Sequence, residues 1–386
     1  MSSLDALPRR LRSGAPLGVG IVGGGDISAR YARLLDASPR FRPVAVAVRT
    51  AAHAAQACRR TGLPAVTLAE LLADPAVELV LNLTPPLAHA DVTAAALKSR
   101  RHVYSEKPLA ADLAGARRLI RLAGRHGVCL ACAPATFLGP ALQAARQMLD
   151  GGVLGQVLSA RGAMVYPGPD HWHHAPAALF GPAAGPVFDM GVYHVAALVA
   201  LLGPVQRVWA VGSRARAVRT VRAGPQTGTP FEVAALTHVE TLLAFEAGPS
   251  ASLTLSFDGI ASEGPGIEIL GTNGSLSLPQ PAQFEGPLRL ATRFGQWQDV
   301  TPATPWPETG WLAGLHSMID HLAAPDEPVP WPAPHMALHV LEVLTAIDRA
   351  ARLGNIQTVR TRCERPPPLR PDAQVRWAKA LQDEAA

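Results

Sequence analysis

The sequence predicts an α/β protein: an N-terminal doubly wound parallel sheet followed by an α+β domain with a large open, mostly antiparallel sheet. Three observations carry this. Between residues 17 and 135, short apolar runs alternate with helical stretches, the pattern of parallel βαβ units. A glycine-rich turn, Gly23-Gly24-Gly25, joins the first run to the first helix. After Pro140 the runs lengthen and alternate apolar with polar residues, as half-buried antiparallel strands do.

Each element follows from its pattern. Residues 18–22 are a short apolar strand, and 27–35 carry helical spacing. Residues 43–48 are a valine-rich strand, 51–60 a helix closed by Thr61-Gly62-Leu63-Pro64, and 68–72 a short helix. The run 77–83 is apolar except at Glu78 and Asn82, which predicts a strand buried on both faces. A helix over 91–98, a strand over 102–104, a helix over 113–126 and a strand over 128–132 complete the first domain. In the second, a helix over 141–150 leads to strands over 156–165, 206–212, 237–245, 250–257 and 267–278. Gly248-Pro249 and Gly271-Thr272-Asn273-Gly274 are turn chemistry. Helices are predicted over 188–202, 335–352 and 372–384. The division is a tail at 1–16, domains at 17–135 and 136–360, and an extension at 361–386 with the proline-rich stretch Arg365 to Pro371.

Composition narrows the class. At 386 residues, with 48% hydrophobic and 17% charged residues, the chain can bury two cores. The net charge of +5 comes from scattered arginines, and aromatics make up 5%; neither fits a nucleic-acid surface. The excess suits an anionic small ligand. The four cysteines form no disulfide framework, and Cys129-Leu130-Ala131-Cys132 lies in an apolar strand rather than at a helix N-terminus, so these thiols read as packing groups. Residues 1–15 lack the apolar core of a signal peptide, and no run is long enough to span a membrane. A cytoplasmic protein is expected.

Gly23, Gly25 and Ser28 occupy the three positions of a GxGxxG fingerprint between a strand and a helix. The first glycine permits the turn, the second admits a pyrophosphate, and the third small residue lets helix meet strand. Asp26, Ile27 and Ser28 open the helix, whose N-terminus favours phosphate. The second strand ends in Val48-Arg49-Thr50, with no acid to bind a ribose hydroxyl. Arg49 and Thr50 suit a 2′-phosphate, so NADP is favoured, with NAD the alternative.

The chain has only three lysines, Lys98, Lys107 and Lys379. Lys107 follows a strand and precedes Pro108, which holds it extended at a strand end, where open α/β sheets bind ligands. An ammonium offers rotatable donors and a pKa that its surroundings can shift.

Gly23-Gly24-Gly25, Thr84-Pro85-Pro86-Leu87-Ala88-His89, Glu106-Lys107-Pro108 and Asp189-Met190-Gly191-Val192-Tyr193-His194 together resemble, in order and spacing, the motifs of the glucose–fructose oxidoreductase/inositol dehydrogenase (Gfo/Idh/MocA) family. The resemblance implies a Rossmann domain for NAD(P) and an active site between it and the second domain. It implies that Thr84 and Pro85 line the nicotinamide, that His89 belongs to the cofactor motif, that Glu106 approaches the nicotinamide ribose and that Lys107 is catalytic. The family's helix pattern, DxGxH, places a histidine where this chain has Tyr193, with His194 next. Helical geometry puts Asp189 and Tyr193 on one face and rotates His194 by about 100°. Tyr193 is therefore the expected acid/base, helped by a neighbouring cation that lowers a phenol's pKa. His194 is the rival. The segment from Ala133 to Pro140 resembles one branch of the family, but Ala135 stands where that branch carries an acid, so its substrate does not transfer.

Asp170-His171-Trp172-His173-His174 precedes that helix. No metal is expected, because Lys107 can polarise the reacting oxygen. Trp172 offers a face to a sugar ring, and His173 and His194 are the candidates to bond its hydroxyls. The reaction expected is hydride transfer between NADP(H) and a secondary alcohol or ketone of a sugar, cyclitol or derivative. A non-catalytic NADP-bound sensor or scaffold and a nicotinamide-assisted glycosidase are the alternatives. The resemblance also implies a homodimer or homotetramer formed through the C-terminal sheet.

Overall fold

A computed structural model describes residues 11, 13–302, 308–329 and 331–370. The helix expected over 372–384 and most of the N-terminal tail lie outside them. The described chain divides into two units. One takes in the chain up to Pro140, the segment that ends at Leu338 and the residues from Pro366 onward. The other runs from Ala141 toward Ala303 and from His339 to Arg365.

In the first unit the apolar runs become β1 (Leu17–Val22), β2 (Phe41–Ala47), β3 (Ala65–Val66), β4 (Leu79–Asn82), β5 (His102–Ser105) and β6 (Leu130–Cys132). They form one parallel sheet in the order β3-β2-β1-β4-β5-β6. All six residues of β1 and all four of β4 and β5 are buried. Burial on both faces explains their nearly unbroken apolar character, and each such side chain contributes about 1.5–3 kcal/mol. The connecting helices are α1 (Asp26–Ala37), α2 (Ala51–Thr61), α3 (Leu68–Ala73), α4 (Pro86–Lys98) and α5 (Leu113–His126). Their ends are written locally. Thr67 and Glu70 form a capping box on α3, Asp112 caps α5 through the Gly115 amide, and Gly62 and Gly127 end α2 and α5 in the left-handed conformation. Helix α4 starts five residues before the expected 91, because Pro86 serves as a first-turn proline.

The segment 308–338, assigned by pattern to the second domain, packs in this first unit. Its helix Ala313–Ala323 pairs Asp320 with Arg40 and sets the His316 ring 5.2 Å from Phe41. Gly314 permits the contact, because a Cβ there would stand 2.8 Å from Ala135 Cβ.

The second unit is built on a nine-stranded sheet. Its strands are β7 (Val157–Val165), β8 (Val205–Ser213), β11 (His238–Phe245), β12 (Ser250–Ser256), β13 (Ile267–Gly271), β14 (Ser275–Leu278), β15 (Leu288–Arg293), β16 (Gln296–Val300) and β17 (Gln357–Thr358). The order is β16-β15-β14-β13-β7-β12-β11-β8-β17, and only β7 and β12 run parallel. The single strand expected over 267–278 is a hairpin, folded at Gly271–Gly274. A two-stranded ribbon, β9 (Val218–Thr220) with β10 (Pro230–Glu232), branches from the chain between β8 and β11. Helices α6 (Pro140–Asp150), α7 (Gly185–Asp189) and α8 (Gly191–Leu202) belong to the same part of the chain. Among the described residues no helix is long and apolar enough to cross a membrane.

Candidate active site

The first unit reverses its strand order between β1 and β4, and open α/β sheets bind ligands outside the strand ends at that point. Gly23 leaves β1 there with φ +109°, and a Cβ on it would sit 2.8 Å from the Leu83 carbonyl group. A side chain is excluded twice, by conformation and by the backbone of the neighbouring crossing. Gly24 is held against α2, where an added Cβ would meet Ala57 at 2.7 Å. Gly25 differs. It is the N-cap of α1 without a side-chain cap, and nothing lies within 4 Å of the place its Cβ would take. The protein's own side chains leave that space open, as a group approaching the helix N-terminus would need. This cradle fits a dinucleotide pyrophosphate. Ser28 is buried with its hydroxyl on the Gly25 carbonyl at 2.6 Å, so it supports the turn from beneath. Arg60, unmarked in the sequence, braces the turn by donating to the Gly24 carbonyl at 3.1 Å and pairing with Asp26 at 2.8 Å. The Ile27 side chain is exposed.

At the end of β2, Arg49 and Thr50 are exposed. The Thr50 hydroxyl lies 2.6 Å from His53 Nδ1. His53, one turn into α2, joins this polar cluster; its three-residue spacing from Thr50 was the signal for it.

The ends of β4 and β5 are tied together from below. Asn82 is fully buried, donates to the His89 carbonyl and Thr93, and accepts from the Thr84 hydroxyl at 2.7 Å. His89 is 1% exposed. Its Nε2 lies 2.6 Å from the Thr84 carbonyl and its Nδ1 2.6 Å from the Pro108 carbonyl. Its assignment as a cofactor contact is therefore corrected: both ring nitrogens are occupied by backbone, and the residue locks the loop of Thr84 and Pro85 to the loop of Lys107. Glu106 accepts from Tyr31 Oη at 3.1 Å and from the Lys107 amide at 3.2 Å. Tyr31 in turn packs edge-on against Trp311, with ring centres 5.8 Å apart. Lys107 is half-buried at the strand end, and the Lys107–Pro108 peptide is cis. Burial pushes the nearby Cys132 thiol up, and the Glu106 charge adds to the shift, which suits a packing role.

In the second unit the helix expected over 188–202 is broken. Met190 separates α7 from α8, with the Met190 amide on the Pro186 carbonyl and the Tyr193 amide on the Met190 carbonyl. Asp189 and Tyr193 thus lie in consecutive helical pieces joined through Met190, which itself keeps right-handed helical dihedrals. Every residue of α8 is buried except Tyr193, which is half-buried, as is Asp189. His194 is 0% exposed. Burial lowers its pKa to about 4, although the Met190, Ala163 and Gly266 carbonyl groups partly offset this. Neither ring nitrogen has a well-formed hydrogen bond. The expectation that His194 touches substrate, or is the base, is corrected: the ring is a neutral core group.

Tyr166, which pattern alone did not reveal, stands at the end of β7 with its ring 5.1 Å from Phe257. Burial pushes its phenol up, the Asp189 and Asp170 charges add to this, and Arg219 opposes them. Trp172 is 61% exposed on the following loop, edge-on to His173, which stacks on His174. Among the described residues no three His, Cys, Asp or Glu side chains converge as metal ligands.

Residues 17–133 match the model of an oxidoreductase family with an NAD-binding Rossmann fold, and residues 142–277 match the GFO/IDH/MocA C-terminal domain. The chain is 31% identical over 297 residues to the dTDP-3,4-didehydro-2,6-dideoxy-alpha-D-glucose 3-reductase of Streptomyces violaceoruber, covering 74% of this chain and 81% of that protein. It is 25% identical over 300 residues to the trans-1,2-dihydrobenzene-1,2-diol dehydrogenase of Bos taurus, covering 77% and 83%. Its fold is similar to that of a levoglucosan dehydrogenase solved with NADH and L-sorbose, at a TM-score of 0.74, 22% identity and coverage of 89% and 99%.

Two outcomes follow from this geometry. Gly23→Ala lowers the melting temperature of the ligand-free protein by more than Gly25→Ala, which loses only the N-cap preference of glycine over alanine, whereas Gly25→Ala weakens dinucleotide affinity roughly tenfold or more, about 1.4 kcal/mol or larger; calorimetry measures both. The His194 ring binds a proton near 6.5 when unfolded and near 4 when folded. Its contribution to stability is therefore full above pH 6.5 and is lost as pH falls toward 4, on the order of 3 kcal/mol. His194→Leu flattens that slope in denaturant titrations repeated across this range.

Proposed function

The chain belongs to the GFO/IDH/MocA oxidoreductase family, and from that premise we propose that it moves a hydride between NADP(H) and a secondary alcohol or ketone of a sugar, cyclitol or derivative. The observation that carries the reading is the switch point of the first unit. The open space over Gly25, the loop of Thr84 and the Lys107 loop are drawn to adjacent strand ends, and His89 and Tyr31 lock them there. The sugar substrates named for the relatives support the substrate class.

The pyrophosphate lies over Gly23, Gly25, Asp26, Ile27 and Ser28. Arg49 and Thr50 take the 2′-phosphate, joined by His53; the lack of an acid at the end of β2 supports NADP over NAD. Thr84 and Pro85 line the nicotinamide and Glu106 meets its ribose. When bound, the nicotinamide supplies or accepts the hydride. Lys107 Nζ donates a hydrogen bond to the reacting oxygen and stabilises negative charge that develops there. Tyr193 Oη passes a proton to or from that oxygen, a step that contributes about 10²–10⁴-fold. Asp189 orients the substrate, and Trp172 and His173 offer it a ring face and a polar edge. The proton moves through side chains, with Lys107 in place of a metal as the electrophile.

A second copy of the chain covers the open face of the nine-stranded sheet. Trp209, Val211 and Leu242 are exposed there, and Trp209 pairs directly with Leu242 across β8 and β11. Such a patch on an otherwise polar sheet supports an interface between copies of the chain.

Nicotinamide absorbance followed across a panel of sugars and keto sugars tests the reaction. Lys107→Met retains NADPH binding within a few-fold and loses turnover, and Tyr193→Phe lowers kcat by about 10²–10⁴-fold; normal turnover in either variant removes that residue's role. Arg49→Ala weakens NADPH binding and leaves NADH binding unchanged. For the assembly, light scattering gives a dimer or tetramer for the native chain and a smaller species for Trp209→Glu; a monomer in both would exclude the sheet interface.

A further inference from the structure

Arg219, on the ribbon strand β9, is 4% exposed, and its two Nη groups bond four partners while its buried Nε bonds none. Its Nη1 donates to the Pro167 carbonyl at 2.7 Å and to Asp170 Oδ1 at 2.6 Å. Its Nη2 donates to the Phe257 carbonyl and to Asp258 Oδ1, both at 2.6 Å. The guanidinium lies over the Phe180 ring, 4.9 Å from its centre. Thr237 donates to the second oxygen of Asp258. From the solvent side, Arg222 places its amide on the Asp170 carbonyl at 2.9 Å and its Nε 3.8 Å from Asp170 Oδ2.

All of these groups belong to the second unit, and three of the partners share one feature. Pro167, Asp170 and Phe180 flank the loop that carries His171, Trp172, His173 and His174. Gly168 is pressed onto the cluster at φ +101°, where a Cβ would stand 2.7 Å from Arg219 Nη1 and 2.8 Å from Asp170 Oδ1. The amides of His171, Trp172 and His173 then bond back to the carbonyls of Gly168 and Pro169. The exposed aromatic run is thus anchored on Gly168 and Pro169, which lie between the two residues, Pro167 and Asp170, that the buried guanidinium bonds.

A buried ion cluster is a poor source of net stability, since well-packed apolar residues of the same volume often do as well. What a planar five-donor fork supplies is fixed direction. We propose that Arg219 is a positioning residue: with Asp170 and Asp258 it holds the loop from Gly168 to His174 in one conformation, and so sets how Trp172 and His173 meet the substrate. The second half of this statement rests on the oxidoreductase reading above; the first half does not. The cluster also borders Tyr166, which feels the charges of both Asp170 and Asp189, so the loop is anchored beside the residue assigned to orient the substrate.

Hydrogen exchange of the full-length protein, read by peptide mass, separates the two halves. Asp170→Asn keeps the shape of the side chain and removes its charge; Arg219→Lys keeps the charge and removes the fork. Both are expected to speed exchange of the amides of residues 168–174 by tenfold or more and to leave the strands of the nine-stranded sheet unchanged. With levoglucosan, myo-inositol or whichever panel sugar the native enzyme turns over, KM for the sugar rises about tenfold, while kcat and KM for NADPH stay within twofold. Unchanged exchange in the loop, or faster exchange spread across the whole unit, would overturn the positioning role, as would a fall in kcat at constant sugar KM. If the native enzyme turns over no sugar while the loop alone loosens, the oxidoreductase reading fails and the anchoring of the loop stands.

Discussion

The first unit depends on one close approach: the backbone of Gly23 passing the carbonyl group of Leu83, with no room for a side chain between them. That passage brings the end of β1 against the end of β4 where the strand order reverses. Everything chemical in the unit is hung from it. Asn82 fixes Thr84 from within the sheet, His89 carries that order across to the Lys107 loop, and Tyr31 reaches from α1 to set Glu106. Each tie is a hydrogen bond to backbone or to a buried polar group, which costs little when made and a great deal when broken. The free space over Gly25 is the complement of this crowding. The glycine that packing requires and the glycine that stands open sit two residues apart, Gly23 against the Leu83 carbonyl group and Gly25 at the N-cap with nothing over it.

The second unit solves a different problem. Its sheet holds an almost wholly buried helix, α8, that leaves one side chain, Tyr193, half in solvent. Asp189 ends a short helix at Met190, and Tyr193 stands in the first turn of the next, its amide bonded to the Met190 carbonyl. Ahead of them, the ribbon of β9 and β10 supplies the guanidinium that organises the aromatic loop. The unit therefore uses rigid elements for the residues assigned to proton transfer and a charge cluster for the loop assigned to recognition.

The parallel sheet was legible because its strands are buried on both faces, which leaves apolar runs with turn residues between them. The glycine turn, the lysine at the end of β5 and the missing acid after β2 were legible because each is a departure from what composition alone would place there. Other features had no such mark. Strands β15 and β16 are largely exposed, so their side chains lack the alternation that betrays a half-buried strand. The helix Ala313–Ala323 joins the first unit from far along the chain, a contact no local pattern encodes. His89 and His194 both read as functional because each stands in a motif, yet one is consumed by two carbonyls and the other by the core. Arg219 was one arginine among many scattered ones, and only the partners that folding brings to it distinguish it.

The central claim is that a hydride passes directly between a bound nicotinamide and a carbinol carbon at the strand ends of the first unit. The measurement closest to it is isotope transfer. NADPH carrying deuterium at C4 of the nicotinamide is incubated with the protein and a keto sugar, and the product is read by proton and deuterium magnetic resonance. One deuterium bound to the newly formed carbinol carbon, from one face of the nicotinamide only, is the predicted result. A reduced product that carries no label from either C4 isotopomer, or cofactor that binds and returns with its deuterium intact while every sugar remains unchanged, would contradict the account.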